Sequence, residues 1–206
     1  MSEMNTKSGY VALVGKPNSG KSTLLNAILG TKLSIVTPKP QTTRKTVLGI
    51  YSTGNLQAIF FDTPGLLKPR YELQRSMMRF VQDSLDDADI VTIILDLGKY
   101  MKNRNYFEKE FLESLKKLNK PTILILNKID LLKNVKEVLP IIDKYNKMDI
   151  FAEIIPASAL KNSNVDEYVS VLDKYMPESP FFYDPELLST QPERFFVSEM
   201  IREIVF

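Results

Sequence analysis

The stretch Gly15-Lys16-Pro17-Asn18-Ser19-Gly20-Lys21-Ser22 decides how this chain is read. It matches G-x-x-x-x-G-K-[ST] and stands between two different periodicities. Before it, Tyr10-Val11-Ala12-Leu13-Val14-Gly15 is an apolar run with the signature of a strand buried on both faces. After it, residues 21–29 place Leu24, Leu25 and Ile28 on one side of a helix that Gly30 ends. Strand, glycine-bearing loop and helix in succession make an anion cradle. Its glycines let backbone close on phosphate, its N–H groups converge, and the helix adds the positive end of its dipole. Lys21 supplies a mobile cation for β- and γ-phosphates, Ser22 a hydroxyl for Mg²⁺, and Thr23 a group near the α-phosphate. Gly15, Asn18, Ser19 and Gly20 complete the lining. The competing reading is a plain strand–helix turn.

Outward from this loop, strands and helices alternate. Strands are expected at 47–52 and 56–62 around the turn Thr53-Gly54-Asn55, then at 89–96, 121–127 and 151–156. Helices are expected at 73–85, 135–145 and 165–176, and Phe107, Phe111, Leu112, Leu115 and Leu118 fall at helical spacing. The pattern gives an α/β fold, a mostly parallel six-stranded sheet with helices on both faces, whose ligands bind at the carboxyl ends of the strands. Residues 31–46 follow neither period and read as a loop. Residues 177–193 hold Pro177, Pro180, Pro185, Pro192 and the cluster Phe181-Phe182-Tyr183, an extended linker that its aromatics pin to a domain surface. From 194 onward Met200, Ile201, Ile204 and Val205 share one helical face, and the chain stops on that stripe without a cap. The expectation is a chain cut inside a second domain; the alternative is a helix folded back on the first.

The 206 residues are 44% hydrophobic, enough for a core, and 27 basic against 25 acidic residues leave a net charge of +2 that favours no partner. Cysteine and histidine are both absent, which removes disulfides, thiolate nucleophiles, imidazole catalysis and Cys- or His-ligated metals. Catalysis is left to carboxylates, Lys, Arg, hydroxyls, backbone groups and hard cations. The start of the chain is polar, no stretch is long enough for a membrane span, and a soluble intracellular protein is expected.

Two further groups refine the phosphate reading. Asp62-Thr63-Pro64-Gly65 follows the third strand. Asp62 there can hold Mg²⁺, and Gly65 can bring a backbone N–H to a γ-phosphate; the same four residues also suit a Pro-Gly turn. In the loop Lys39-Pro40-Gln41-Thr42-Thr43-Arg44, Thr43 is favoured over Thr42 to complete the Mg²⁺ shell, against a solvated Thr-rich loop. Catalytic candidates are thus Lys21, Thr43, Asp62 and Gly65, and metal ligands Ser22, Thr43 and Asp62. Asn127-Lys128-Ile129-Asp130 follows the fifth strand. The carboxylate of Asp130 matches the paired N1–H and N2–H₂ donors of guanine, which adenine lacks. Asn127 can brace the phosphate loop, and the stem of Lys128 can cover a base face. Ser158-Ala159-Leu160 offers the Ala159 N–H to guanine O6. This set selects GTP over ATP.

In this order the motifs resemble a Ras-like P-loop G domain of the translation-factor class, over about 9–176. The phosphate loop through Asn26, Pro40-Gln41-Thr42-Thr43-Arg44, Asp62-Thr63-Pro64-Gly65 and the segment 194–203 narrow the resemblance to the bacterial Era GTPase family. Its relatives Der and MnmE share the loop style but not the linker and entry helix. The resemblance implies a G domain at 9–176, a linker at 177–193 and the start of a truncated RNA-binding KH domain at 194–206. It implies GTP/GDP and Mg²⁺ as ligands and slow GTP hydrolysis. It also implies a role in 30S subunit assembly and 16S rRNA maturation, in the cytoplasm, with peripheral inner-membrane association as an option. The rRNA contact belongs to the missing C-terminal domain; no GXXG clamp follows the linker here, and no DNA partner is implied. Alternatives are a ribosome- or tRNA-associated GTPase of the same wider family, a P-loop ATPase, or a nucleotide-binding module without turnover. Leu66 and Leu67 stand where many GTPases carry a water-orienting Gln. In some relatives an Asn at the position of Asn18 helps hold K⁺; a turn residue is the other reading. Arg44 reads equally as a charge stabiliser or a solvated side chain.

Overall fold

β1 (Lys7–Gly15) is the strand that everything else is placed against. Its side chains alternate between two separate cores. Val11 and Leu13 join Leu24, Leu25, Ile28, Tyr168 and Leu172 on one face, and Ala12 and Val14 join Val81, Leu85, Ile141 and Tyr145 on the other. The computed structural model describes residues 6–37, 43 and 47–205. The readings placed on Lys39, Pro40, Gln41, Thr42 and Arg44 lie outside them.

After α1 (Lys21–Leu29), the strands β2 (Val47–Thr53) and β3 (Leu56–Asp62) form an antiparallel hairpin. Then come α2 (Glu72–Asp87), β4 (Ile90–Asp96), α3 (Leu97–Lys102), α4 (Lys109–Lys116), β5 (Thr122–Asn127), α5 (Leu139–Asn146), β6 (Glu153–Ala157), α6 (Val165–Tyr175) and α7 (Glu193–Val205). The sheet order is β2-β3-β1-β4-β5-β6, parallel except for β2. The α/β, mostly parallel six-stranded architecture with helices on both faces is therefore observed. Register brings the carboxyl ends into one rim: Leu13 lies beside Asp62, Gly15 beside Ile94, and Asp96, Asn127 and Ala157 stand in adjacent strands.

Several local readings need correction. The period over 107–118 yields a helix only at Lys109–Lys116. Phe107 precedes it and is buried edge-on against Tyr106, with centroids 4.8 Å apart. Aromatic burial from a loop imitated a helical repeat. The short α3 was missed; Asp96 caps it by accepting the Lys99 N–H at 3.1 Å. Residues 135–145 split into a 3₁₀ turn, Val135–Val138, and α5, with Pro140 in the first turn where its missing N–H is harmless. β6 starts at Glu153, and Phe151 is a buried loop residue.

Residues 177–192 form no regular helix or strand and wrap beneath the sheet. Ser8 N–H donates to Pro177 O at 3.2 Å, and Ser179 N–H to Thr6 O at 3.0 Å. Phe182 stacks on Tyr10 at 5.6 Å, which stacks on Phe61 at 5.3 Å. Further on, Ile50 N–H donates to Leu188 O at 2.8 Å and Ser189 Oγ to Leu48 O, so the connector covers part of the outer edge of β2. α7 then sets Phe195 and Phe196 against the α1–α6 core, with Lys32 paired to Glu203 at 2.7 Å. Its Val197, Met200, Ile201 and Ile204 face outward. Among the described residues no helix is long and apolar enough to cross a membrane.

Gln57 is the buried fastener of the connector. Its Oε1 accepts the N–H groups of Phe182 (2.8 Å) and Tyr183 (3.0 Å), and its Nε2 donates to Tyr183 O (2.9 Å) and Ser52 Oγ (3.1 Å). Gln57→Leu leaves these groups unpaired and is expected to cost about 1–3 kcal/mol in urea unfolding. A loss below about 0.5 kcal/mol would show that the connector is not held there.

Candidate nucleotide site

The phosphate loop runs from the last residue of β1 into α1, as the motif requires. Asn18 (φ 61°) and Gly20 (φ 103°) adopt left-handed backbone. At Gly20 a side chain is excluded twice over, by that φ and because a Cβ would sit 2.1 Å from Asn127 Nδ2. Lys21 is buried, and among the described residues its Nζ makes long contacts to Gly15 O (3.3 Å) and Lys16 O (3.4 Å). Burial pushes its ammonium down to about 8, partly opposed by Asp62. A buried cation that forms no ion pair among the described residues is suited to receive phosphate oxygens. The Ser19 hydroxyl is also buried with no hydrogen-bond partner among the described residues.

Three oxygen-bearing side chains meet beside the loop. Ser22 Oγ donates to Asp62 Oδ2 at 2.7 Å and lies 3.3 Å from Thr43 Oγ1. Asp62 Oδ1 is buried with no close hydrogen bond among the described residues, and burial raises the Asp62 carboxyl above its usual range despite Ser22, Lys21 and Ser34. Hard oxygens with an unsatisfied carboxylate atom fit Mg²⁺, which takes its remaining ligands from water and phosphate. Thr43 is thus brought beside Ser22, which is bonded to Asp62.

Asp62-Thr63-Pro64-Gly65 is fastened at both ends. Thr63 Oγ1 donates to Leu13 O at 2.6 Å, and Leu66 N–H to Gly15 O at 2.9 Å. Gly65 is pressed on Pro17: a Cβ there would meet Pro17 N at 2.7 Å and Cα at 2.8 Å. Leu66 packs into the α2–α5 core and carries no group that could orient water. Gly65 and Thr43 face a small cleft lined also by Asn18, Gly20, Lys21, Ser22 and Thr23.

A second cleft of about 290 Å³ shares Gly20 and Thr23 with the first and adds Asn127, Lys128, Asp130, Leu131, Ala159 and Leu160. Asn127 Nδ2 donates to Ser19 O at 2.8 Å, which joins the two clefts. Lys128 (φ 71°) sends its Nζ to Asn18 O at 2.8 Å and to Asp96 Oδ2 at 2.7 Å. Asp130 is exposed, and one of its oxygens accepts the Ser158 hydroxyl. The Ala159 N–H, read from sequence as a donor to guanine O6, donates instead to Asn127 Oδ1 at 3.0 Å. Serving O6 as well requires that hydrogen to be shared. Leu160 lies on the wall, 73% exposed. Sequence reasoning missed Asp96 and Lys99, whose Nζ donates to Pro17 O at 2.7 Å. The signal available was a charged residue closing an apolar strand, as Asp62 does.

Residues 10–128 match the family model described as 50S ribosome-binding GTPase. The GTPase Era of Clostridium kluyveri is 44% identical over 202 residues, covering 96% of this chain and 66% of that one. The GTPase Era of Nitratidesulfovibrio vulgaris is 37% identical, covering 100% and 68%. The chain belongs to the Era family of GTPases. A crystal structure of Era in complex with MgGDPNP and nucleotides 1506–1542 of 16S ribosomal RNA superposes with a TM-score of 0.90 at 43% identity, covering 96% of this chain and 66% of that one. The chain thus spans about two thirds of the length of these Era proteins.

The Lys21 environment has a measurable pH signature. Its folded pKa lies below the unfolded value near 10.5, so between about 8 and 10.5 the unfolded chain binds more protons and stability rises with pH. Nucleotide-free protein is expected to gain thermal stability from pH 8 to 9.5 relative to Lys21→Met, which lacks the group. Parallel melting profiles for the two would contradict this environment.

Proposed function

We propose that this chain binds and slowly hydrolyses GTP as a molecular switch, and that the protein to which it belongs acts in assembly of the small ribosomal subunit. The observation that carries the nucleotide reading is Asn127. Its amide ties the phosphate loop to the loop holding Ala159, with Asp130 three residues away at the mouth of the base cleft. Asp130 accepts from guanine N1–H and N2–H₂, the stem of Lys128 covers a base face, and Ser158, Ala159 and Leu160 border the base. Adenine offers Asp130 no such donor pair.

On the phosphate side, Lys21 neutralises β- and γ-phosphate oxygens, Thr23 serves the α-phosphate, and Gly65 donates its N–H to the γ-phosphate. Ser22, Thr43 and Asp62 would hold Mg²⁺, which supplies charge to the phosphate oxygens when bound. Thr43 and Gly65 lie on separate loops that face the same cleft, where the γ-phosphate would be a contact common to both. Loss of that phosphate would remove the contact from each loop and loosen it, which is order–disorder switching. Lys21 and the loop N–H groups stabilise charge as the γ-phosphoryl group transfers. Leu66 is half-buried against the core and carries no group that could position water, so intrinsic turnover is slow. Asn18 is a candidate K⁺ ligand.

The division into a G domain at 9–176, a connector at 177–193 and the beginning of an RNA-binding domain at 194–206 belongs to the same proposal. Support comes from the solved Era complex with 16S rRNA nucleotides. The partners are then 16S rRNA and the 30S subunit, met through sequence beyond residue 206. Action in the cytoplasm, with peripheral contact at the inner membrane, completes it.

The test is binding of GTP and ATP, with and without Mg²⁺, to the wild type and Asp130→Asn. GTP is expected to bind at least about 100-fold tighter than ATP, and Asp130→Asn to lose most of that preference by replacing an acceptor with a donor. Equal binding of the two nucleotides by the wild type would overturn the base assignment.

A further inference from the structure

Asp96 ends β4 beside Asn127 of β5, on the rim that carries the nucleotide motifs, yet belongs to none of them. It is 2% exposed. Its Oδ1 accepts the Lys99 N–H at 3.1 Å and its Oδ2 accepts Lys128 Nζ at 2.7 Å. Its own N–H donates to the buried Tyr106 hydroxyl at 3.3 Å. Both lysines reach on to the phosphate loop, Lys99 Nζ to Pro17 O (2.7 Å) and Lys128 Nζ to Asn18 O (2.8 Å). Two successive carbonyls at the apex are thus held by two cations, and one buried carboxylate organises both.

A trans peptide points its C=O and N–H in opposite directions. Holding Pro17 O and Asn18 O therefore sets the tilt of two adjacent peptide planes, and with it the direction of the Asn18 and Ser19 N–H groups. The turn closed by Ser19 N–H on Lys16 O (3.1 Å) and the contact of Pro17 with Gly65 depend on the same two planes. Lys16 adds a third cation nearby, its Nζ 4.6 Å from the Tyr106 ring centroid. Without the Asp96 charge, like-charge repulsion would drive Lys99 and Lys128 apart.

We propose that Asp96 is a positioning residue of the nucleotide site, which acts through Lys128 and Lys99 to hold the apex of the phosphate loop and so sets how long guanine nucleotide stays bound. This rests on the reading of the two clefts as a guanine-nucleotide site. Capping α3 is the merely structural role, and Asp96→Asn separates the two. Asparagine caps a helix as well as aspartate, so its amide oxygen keeps the Lys99 N–H. Its NH₂ then faces Lys128 Nζ, donor against donor.

The experiment is release of N-methylanthraniloyl-GDP by stopped flow, chased with excess GDP, alongside thermal melting. Asp96→Asn is expected to stay folded, melting about 3–12 °C below wild type, and to release nucleotide about tenfold faster. In a Lys128→Met background the same substitution should add less than about twofold, since the two act in one path. Wild-type release from Asp96→Asn, or full additivity with Lys128→Met, overturns the proposal. Should Asp96→Asn fail to fold, Lys99→Met reads the other arm from a largely exposed side chain, and wild-type release there overturns it equally. Failure of the wild type to bind the probe would sink the site reading itself, whereas binding with unchanged release in the variants removes only the role of Asp96.

Discussion

A primary amide buried at the end of a central strand must have both its ends satisfied, or it costs more than it contributes. Asn127 meets that demand by donating to Ser19 O and accepting from Ala159 N–H. Those partners lie on loops after β1 and β6, so one side chain from β5 binds three loops into a single rim. Gly20 has no side chain in the place where that amide passes. The aligned carboxyl ends of the parallel strands make this possible. The hydrogen-bond register decides which residues meet, and the two faces of β1 keep that register by burying alternate side chains in separate cores.

The cations of the site are balanced in tiers. Lys21 lies inside, poorly compensated, with its charge weakened by burial. Lys99 and Lys128 lie further out, each bonded to a loop carbonyl, with Asp96 between them. Asp62 carries one oxygen satisfied by Ser22 and one with no close hydrogen bond among the described residues. The inner groups are thus unsatisfied and the outer groups satisfied. A rigid frame with an incomplete centre is what tight binding of a compact polyanion calls for.

Much of this was legible in the sequence, because it rests on local rules. Apolar runs ending at Gly15, Asp62 and Asn127 marked buried parallel strands and showed which residues would stand at their carboxyl ends. Helical spacing from Lys21 to Leu29 located α1 to the residue. What failed was non-local. Phe107 and Phe151 are buried from loops, and burial alone mimics a helix or strand period. The bond from the Ala159 N–H to Asn127 Oδ1 at 3.0 Å was not legible, because nothing in the chain order brings the two together. Asp96 was passed over for the same reason: its partner Lys128 is 32 residues away, and only the pairing of β4 with β5 brings it there.

The connector has a mechanical meaning. It leaves α6, crosses beneath the sheet, and is bonded to Leu48 and Ile50 on the outermost strand before α7 begins. Thr43 stands only five positions before Leu48. A pull on anything attached beyond α7 is therefore carried past the core and loaded onto β2, the strand that follows Thr43 in the chain. The sheet acts as the anvil and β2 as the lever.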